Sequence, residues 1–164
     1  MTMKTNKIIK SHFPFLKGLE SQEIIFNKER HPSLASAIVD AKLPYKPGVY
    51  LVYDFNNNEL GDLLYVGKAG ADKAGKINAH QLPKRLLAVC YPPKKYLTGI
   101  KSKHPSRNKA WPKMMEEDKI DSIKIFCFFS RIDANFRVDI QSNPLTLESE
   151  IRKMLNTKPL WAKR

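Results

Sequence analysis

The sequence predicts a small mixed α/β (α+β) domain, and three observations carry that expectation. Two short runs, Gly48-Val49-Tyr50-Leu51-Val52-Tyr53 and Leu63-Leu64-Tyr65-Val66-Gly67-Lys68, are β-branched and aromatic. They flank an asparagine-rich break, Asn56-Asn57-Asn58, that ends in Gly61, and so read as the two strands of a hairpin. A third run, Ile120 to Ser130, opens with alternation and finishes as continuous apolar sequence, the pattern of a strand buried on both faces. Between and around these runs, three stretches carry apolar residues at helical spacing.

Taken in order, Met1 to Lys17 is lysine-bearing and shows no clear period. The first helix follows Pro32-Ser33, with Leu34, Ala37, Ile38 and Ala41 on one face, and ends before Pro44. Pro47 then opens the first strand of the hairpin. After Gly67 the chain enters a glycine-punctuated basic loop, Lys68 to Lys76. Pro83 sits in the first turn of a second helix bearing Arg85, Leu86, Leu87 and Val89, which ends before Pro92-Pro93. Residues 91–113 hold four prolines and seven basic residues and read as one long irregular excursion. Arg131 to Asn143 admits a short strand around Phe136 to Ile140. Thr146 reads as the N-cap of the last helix, with Leu147, Ile151, Met154 and Leu155 behind it. No repeat, low-complexity tract or second domain is visible.

A chain of 164 residues with 42% hydrophobic content suits a single domain with its own core. No apolar run approaches the roughly 20 residues that a membrane span needs. The basic N-terminus lacks the apolar stretch of a secretory signal, which points to the cytoplasm. Cys90 and Cys127 form no CxxC and read as small buried hydrophobes in a reducing compartment. The four histidines, His12, His31, His80 and His104, show no ligand spacing.

The net charge of +13 is concentrated in one window. From Lys73 to Met115 there is no acidic residue, against eleven basic ones: Lys73, Lys76, Lys84, Arg85, Lys94, Lys95, Lys101, Lys103, Arg107, Lys109 and Lys113. The basic residues elsewhere are nearly matched by the 16 acidic ones. Such a segment, interleaved with tyrosines and Trp111, fits a nucleic-acid surface better than a merely solvated loop.

Candidate chemistry gathers around the hairpin. Tyr50 and Tyr65 each lie beside a glycine in neighbouring strands, and Lys68 follows at once. Two half-buried structural tyrosines would look the same singly, but the paired pattern points to a site. A phenol titrates near 10 and needs nearby cations to lower it before it can position or deprotonate an attacking water. Arg85 offers a planar fork for phosphate oxygens, in the transition state or as a plain backbone contact. In the last helix, Glu148 stands four residues before Arg152, the spacing of a surface ion pair. Glu150 lies at the rim of the apolar stripe, either solvated or able to hold a hard divalent ion. Gly70 to Ile77 has P-loop spacing, but Ile77 stands where that motif needs Ser or Thr, which excludes it.

Together, Gly48-Val49-Tyr50, Tyr65-Val66-Gly67, Arg85, Glu150 and the closing Lys158-Pro159-Leu160-Trp161 resemble the GIY-YIG nuclease family, most closely its type II restriction endonuclease branch. The resemblance spans Gly48 to the C-terminus and implies a central antiparallel three-stranded sheet flanked by helices. It divides the chain into an N-terminal extension with a helix, residues 1–47, and a catalytic core, 48–164, with 91–113 as a DNA-contacting excursion. It implies Tyr50, Tyr65, Lys68, Arg85 and Glu150 as catalytic residues, and Glu150 as ligand to Mg²⁺ or Mn²⁺. Double-stranded DNA becomes the expected substrate, cut by a homodimer. Lys73, Lys76, Lys84, Lys94, Lys95, Lys101, Lys103, Arg107, Lys109 and Lys113 are the expected DNA contacts. Two places depart from the branch: Ala162 stands where an active-site asparagine is common, and Val89 where some members have histidine. A nicking nuclease of repair or mobile-element type, and a DNA-binding module with weakened catalysis, are the alternatives.

Overall fold

The two tyrosine-bearing runs pair as a hairpin, Gly48–Asn56 with Glu59–Ala69, closed by Asn57 and Asn58 alone. Both asparagines take left-handed backbone, φ 49° and 62°, which is the type I′ geometry that matches strand twist and favours this residue. Gly61 therefore belongs to the second strand, not to the turn as expected.

The computed structural model describes residues 2–88, 92–99, 101 and 105–162, with side chains from Asn6 onward. Val89, Cys90, Tyr91, Lys103 and His104 lie outside the described residues. In chain order the elements are α1 (Thr2–His12), a 3-10 turn (Pro14–Leu16), β1 (Ser21–Asn27), α2 (Leu34–Asp40), β2 (Gly48–Asn56) and β3 (Glu59–Ala69). There follow α3 (Leu82–Leu87), a 3-10 turn (Lys94–Tyr96), α4 (Arg107–Glu117), β4 (Ser122–Phe129) and α5 (Pro144–Met154). The chain is thus α+β, with an antiparallel sheet in the order β1-β4-β2-β3. None of the described helices is long and apolar enough to cross a membrane.

Four strands stand where three were expected. The additional one, β1, lies in a stretch for which no element was expected, and only Ile24 and Phe26 of Ser21–Asn27 are buried. It is an edge strand whose polar residues are half-buried, held to β4 by a Lys124–Glu23 ion pair at 3.0 Å. The end of the 91–113 excursion, from Arg107 on, is likewise more regular than expected. Helix α4 begins at Arg107 and keeps Pro112 inside it, anchored by the buried Ala110, Trp111, Met114 and Met115. Helix α5 starts at Pro144, not after Thr146: Asn143 caps it by accepting from Leu145 N–H at 2.9 Å, and proline at the first position lacks a donor there anyway. Around Phe136 to Ile140 there are only isolated bridges.

Each face of the sheet carries a core. Tyr50 and Val52 of β2 join Ile123, Ile125, Cys127 and Phe129 of β4 under α2, α3 and α4. Val49, Leu51, Val66, Phe126 and Phe128 face the other way, toward Ile9, Phe13 and Leu16 and toward Leu147 and Ile151 of α5. Tyr65 stands opposite Val52 and so lies on the Tyr50 face; the register shifts only beyond that pair, between Val52 and Tyr53. The next residues alternate, so Lys68, opposite Val49, falls on the α5 face.

Candidate active site

Gly67 stands directly opposite Tyr50 in the ladder, and the reason is steric. A β-carbon there would overlap the Tyr50 ring and hydroxyl. Gly48 is equally constrained, since its β-carbon would strike the carbonyl of Phe128 on β4. Gly67 therefore lets the Tyr50 ring lie across the neighbouring strand, while Gly48 leaves room for the Phe128 carbonyl. Tyr65 then stacks on it, with centroids 6.0 Å apart and planes at 26°. Trp111 of α4 packs on Tyr65 at 5.8 Å, and Trp161 packs on Trp111 at 6.0 Å.

Beneath this stack lies Arg107, 1% exposed. It donates through Nη2 to the Tyr50 hydroxyl at 3.0 Å and through Nη1 to the Arg85 and Ala88 carbonyls at 2.6 and 3.1 Å. Its guanidinium also covers the Tyr50 and Trp111 rings, 5.9 and 5.5 Å from their centroids. Arg107 was expected among the DNA contacts; buried as it is, it instead fixes Tyr50 and the end of α3. Helical spacing with Trp111 would have signalled this, had the prolines not hidden the helix.

Tyr50 differs from expectation too. Its phenol is fully buried, and burial pushes its titration well above the usual tyrosine value, outweighing Arg107 and Arg85. Because arginine only donates, the Tyr50 oxygen accepts from Arg107 and keeps its own proton to offer. A hydroxyl held this way is better suited to donate a hydrogen bond than to act as a base. Tyr65 is the more accessible member of the pair, half-buried above it.

Arg85 is exposed on α3, close enough to lower the Tyr50 titration. On the opposite face of the β3 end, Lys68 Nζ lies 2.9 Å from Glu148 Oε1, which Arg152 Nε approaches at 3.5 Å. The Glu148 side chain is 16% exposed. Glu150, the expected metal ligand, is 46% exposed and is paired with Lys153 at 3.2 Å, away from Lys68. Two residues apart on a helix is about 200° around it, so the two carboxylates flank the buried Leu147–Ile151 stripe on opposite sides. Glu148 is the one on the side of the strand that carries Lys68.

Among the described residues no group of three or more His, Cys, Asp or Glu converges as a metal cage. A divalent ion here would have one protein carboxylate, Glu148, and would draw its other oxygens from water and substrate phosphate. Of the expected DNA contacts, Lys73, Lys76, Lys84, Lys94, Lys95, Lys101 and Lys109 are exposed. Lys113 is half-buried and paired with Glu117 at 3.2 Å, and Lys103 lies outside the described residues.

One further residue organises the region without having been singled out. Asp118 Oδ2 accepts from the Tyr96 hydroxyl at 2.5 Å and from Trp161 Nε1 at 2.9 Å, tying the basic segment and the C-terminal residues to the end of α4. The Gly70–Ile77 loop carries no helix at its end and so lacks the P-loop form. Compared with family models, curated proteins and solved structures, the chain matches none.

Proposed function

We propose that the chain is a metal-dependent DNA endonuclease of GIY-YIG type, cutting double-stranded DNA as a restriction enzyme does. The observation that carries this reading is the buried Arg107–Tyr50–Tyr65 stack, which forces glycine at position 67 and stands at the same strand end as the Lys68–Glu148 pair. A structural tyrosine pair needs no guanidinium sunk beneath it and no cation-carboxylate pair on the other face of the same strand end.

In this reading Tyr65 and Arg85 meet the scissile phosphate, with Arg85 stabilising the charge that grows on its oxygens. Tyr50 and Arg107 form the layer below, fixing Tyr65 and the α3 end. Glu148 would hold Mg²⁺ or Mn²⁺, which when bound supplies Lewis-acid polarisation of the phosphate. Lys68 holds the Glu148 carboxylate at the β3 end. Cutting both strands of a two-fold site would take a homodimer.

Cleavage of supercoiled plasmid in Mg²⁺ tests the reading. The expected result is linear product with the native chain and none with Glu148→Gln, while Glu150→Gln cuts normally and both variants bind DNA in EDTA. Equal cutting by the two variants would remove Glu148 from the site; no metal-dependent cutting by any form favours the DNA-binding alternative, for which Ala162 is the observation.

A further inference from the structure

Two loops at the strand ends beside this site are built on one plan. Between β3 and α3, Gly75 N–H donates to the Asp72 carbonyl at 3.0 Å and Asp72 N–H to the Lys76 carbonyl at 2.9 Å. The Asp72 carboxylate accepts from the Ala74 and Lys76 N–H groups at 3.0 and 2.9 Å. Between β4 and α5 the same bonds recur: Phe136 N–H to Asp133 at 3.1 Å and Asp133 N–H to Arg137 at 2.8 Å. The Asp133 carboxylate accepts from the Asn135 and Arg137 N–H groups at 2.8 and 3.1 Å. One antiparallel bridge closes each loop, Ala71 with Ile77 and Ile132 with Val138, and a third, Lys76 with Arg137, joins them.

The fourth residue of the plan takes left-handed backbone, φ +85° at Gly75 and φ 58° at Phe136. Glycine adopts it freely, whereas the β-carbon of a bulky residue is crowded there. The first loop thus uses the unstrained residue and the second places an aromatic ring at the equivalent point. That ring is not held by packing: Phe136 is 80% exposed and Ile140 84%. The base behind it is firm. Val138 N–H donates to the Gly75 carbonyl and Asn143 Nδ2 to the Asp72 carbonyl, each at 2.9 Å. Two of the loops' carboxylates, Asp72 and Asp133, are turned inward onto their own N–H groups, and Asp139 is taken by Arg131 and Ser142. Lys73, Lys76 and Arg137 remain exposed.

We propose that Phe136, with the exposed Ile140 four residues on, is an apolar wedge that enters the base stack of duplex DNA, steered by Lys73, Lys76 and Arg137. Strain at a solvated aromatic residue is retained where a function uses it. Aromatic and branched apolar side chains on a basic mount are what parts and kinks a base step. A protein partner is disfavoured because Lys73, Lys76 and Arg137 are exposed while the Asp72 and Asp133 carboxylates are engaged by loop N–H groups, and Lys73 and Lys76 open the acid-free window. The inference rests on the DNA reading above and adds to it a mode of engagement.

The test uses a plasmid relaxed by a metal-independent topoisomerase in EDTA, where no cutting occurs, with binding of a mixed-sequence 40-base-pair duplex measured alongside. Native protein is expected to lower the linking number. Phe136→Gly restores the residue that the sister loop uses, so it should fold with an equal or higher Tm. It should bind roughly tenfold more weakly, and at equal occupancy lose the linking-number shift. A Phe136→Gly protein that keeps the full shift overturns the wedge, and so does a native protein that binds without shifting, although the DNA reading then stands. Failure of the native chain to bind either DNA sinks both. A native dimer that Phe136→Gly converts to monomer, with the shift unchanged, would make the ring a self-contact and also overturn the proposal.

Discussion

Ala162 reaches the tyrosine stack through its neighbour. Trp161 is buried against Trp111, which packs on Tyr65, and its N–H donates to the Leu64 carbonyl at 2.7 Å. The next residue is therefore held near the site by bonds its own side chain does not make. An asparagine amide there, as the resemblance implies, would add one oriented donor, and alanine adds none. Loss of such a donor typically lowers a rate by about two to three orders of magnitude. Ala162→Asn is accordingly expected to raise single-turnover cleavage by about that factor while leaving the duplex affinity in Ca²⁺ unchanged; equal rates for the two forms would show that the position is not catalytic. At this scale much of the candidate site was legible, because Tyr50, Tyr65, Lys68 and Arg85 are fixed by position in the hairpin and the helix after it. Two features were not. Which of Glu148 and Glu150 lies beside Lys68 depends on which rim of α5 faces β3, and a helical wheel carries no such direction. The titration of Tyr50 depends on its depth, which the alternation of β2 hid because both faces of that strand are covered.

Elements explain why the glycines matter and why some of the chain went unread. Strand β3 can cross the Tyr50 ring only at a residue without a side chain, so Gly67→Ala must push the ring or the strand aside. Overpacking of this kind costs about 1–3 kcal/mol, measurable as a lower midpoint in urea. In a Tyr50→Val background the same substitution should cost clearly less, since the atoms it meets are those of the tyrosine ring. A penalty unchanged by Tyr50→Val would place the strain in the backbone instead. The hairpin, α2, α3 and β4 were readable because each follows one rule at a time: alternation, capping or proline placement. Helix α2 shows it, with Ser33 and Ser36 closing a reciprocal capping box. Strand β1 and helix α4 break their rules. The first is half polar because it lies at the edge, and the second carries Pro112 mid-helix, a cost outweighed by burying Trp111, Met114 and Met115.

Across the whole molecule, charge and fold divide the labour unevenly. The window from Lys73 to Met115 runs through α3, the Lys94–Tyr96 turn and most of α4, all on the Tyr50 side of the sheet. The sheet thus separates a basic side, carrying Lys84, Lys94, Lys95, Lys101 and Lys109, from the side covered by α1 and α5. If the excess charge served solubility alone, any lysine would count equally, because solubility follows net charge. If it binds a duplex, only lysines that meet phosphate release counterions, each contributing about 0.9 to the slope of log affinity against log salt. Replacing Lys94, Lys95 and Lys101 together by glutamine should therefore flatten that slope by roughly 2 to 3 and weaken binding on every sequence alike. Replacing the exposed Lys17, Lys28 and Lys42 lowers the net charge by the same amount and should leave the slope intact. The comparison holds total charge constant and varies only its place. Matching slopes for the two triple variants would mean that position carries no weight, and the surface beside the tyrosine stack would lose its claim to DNA.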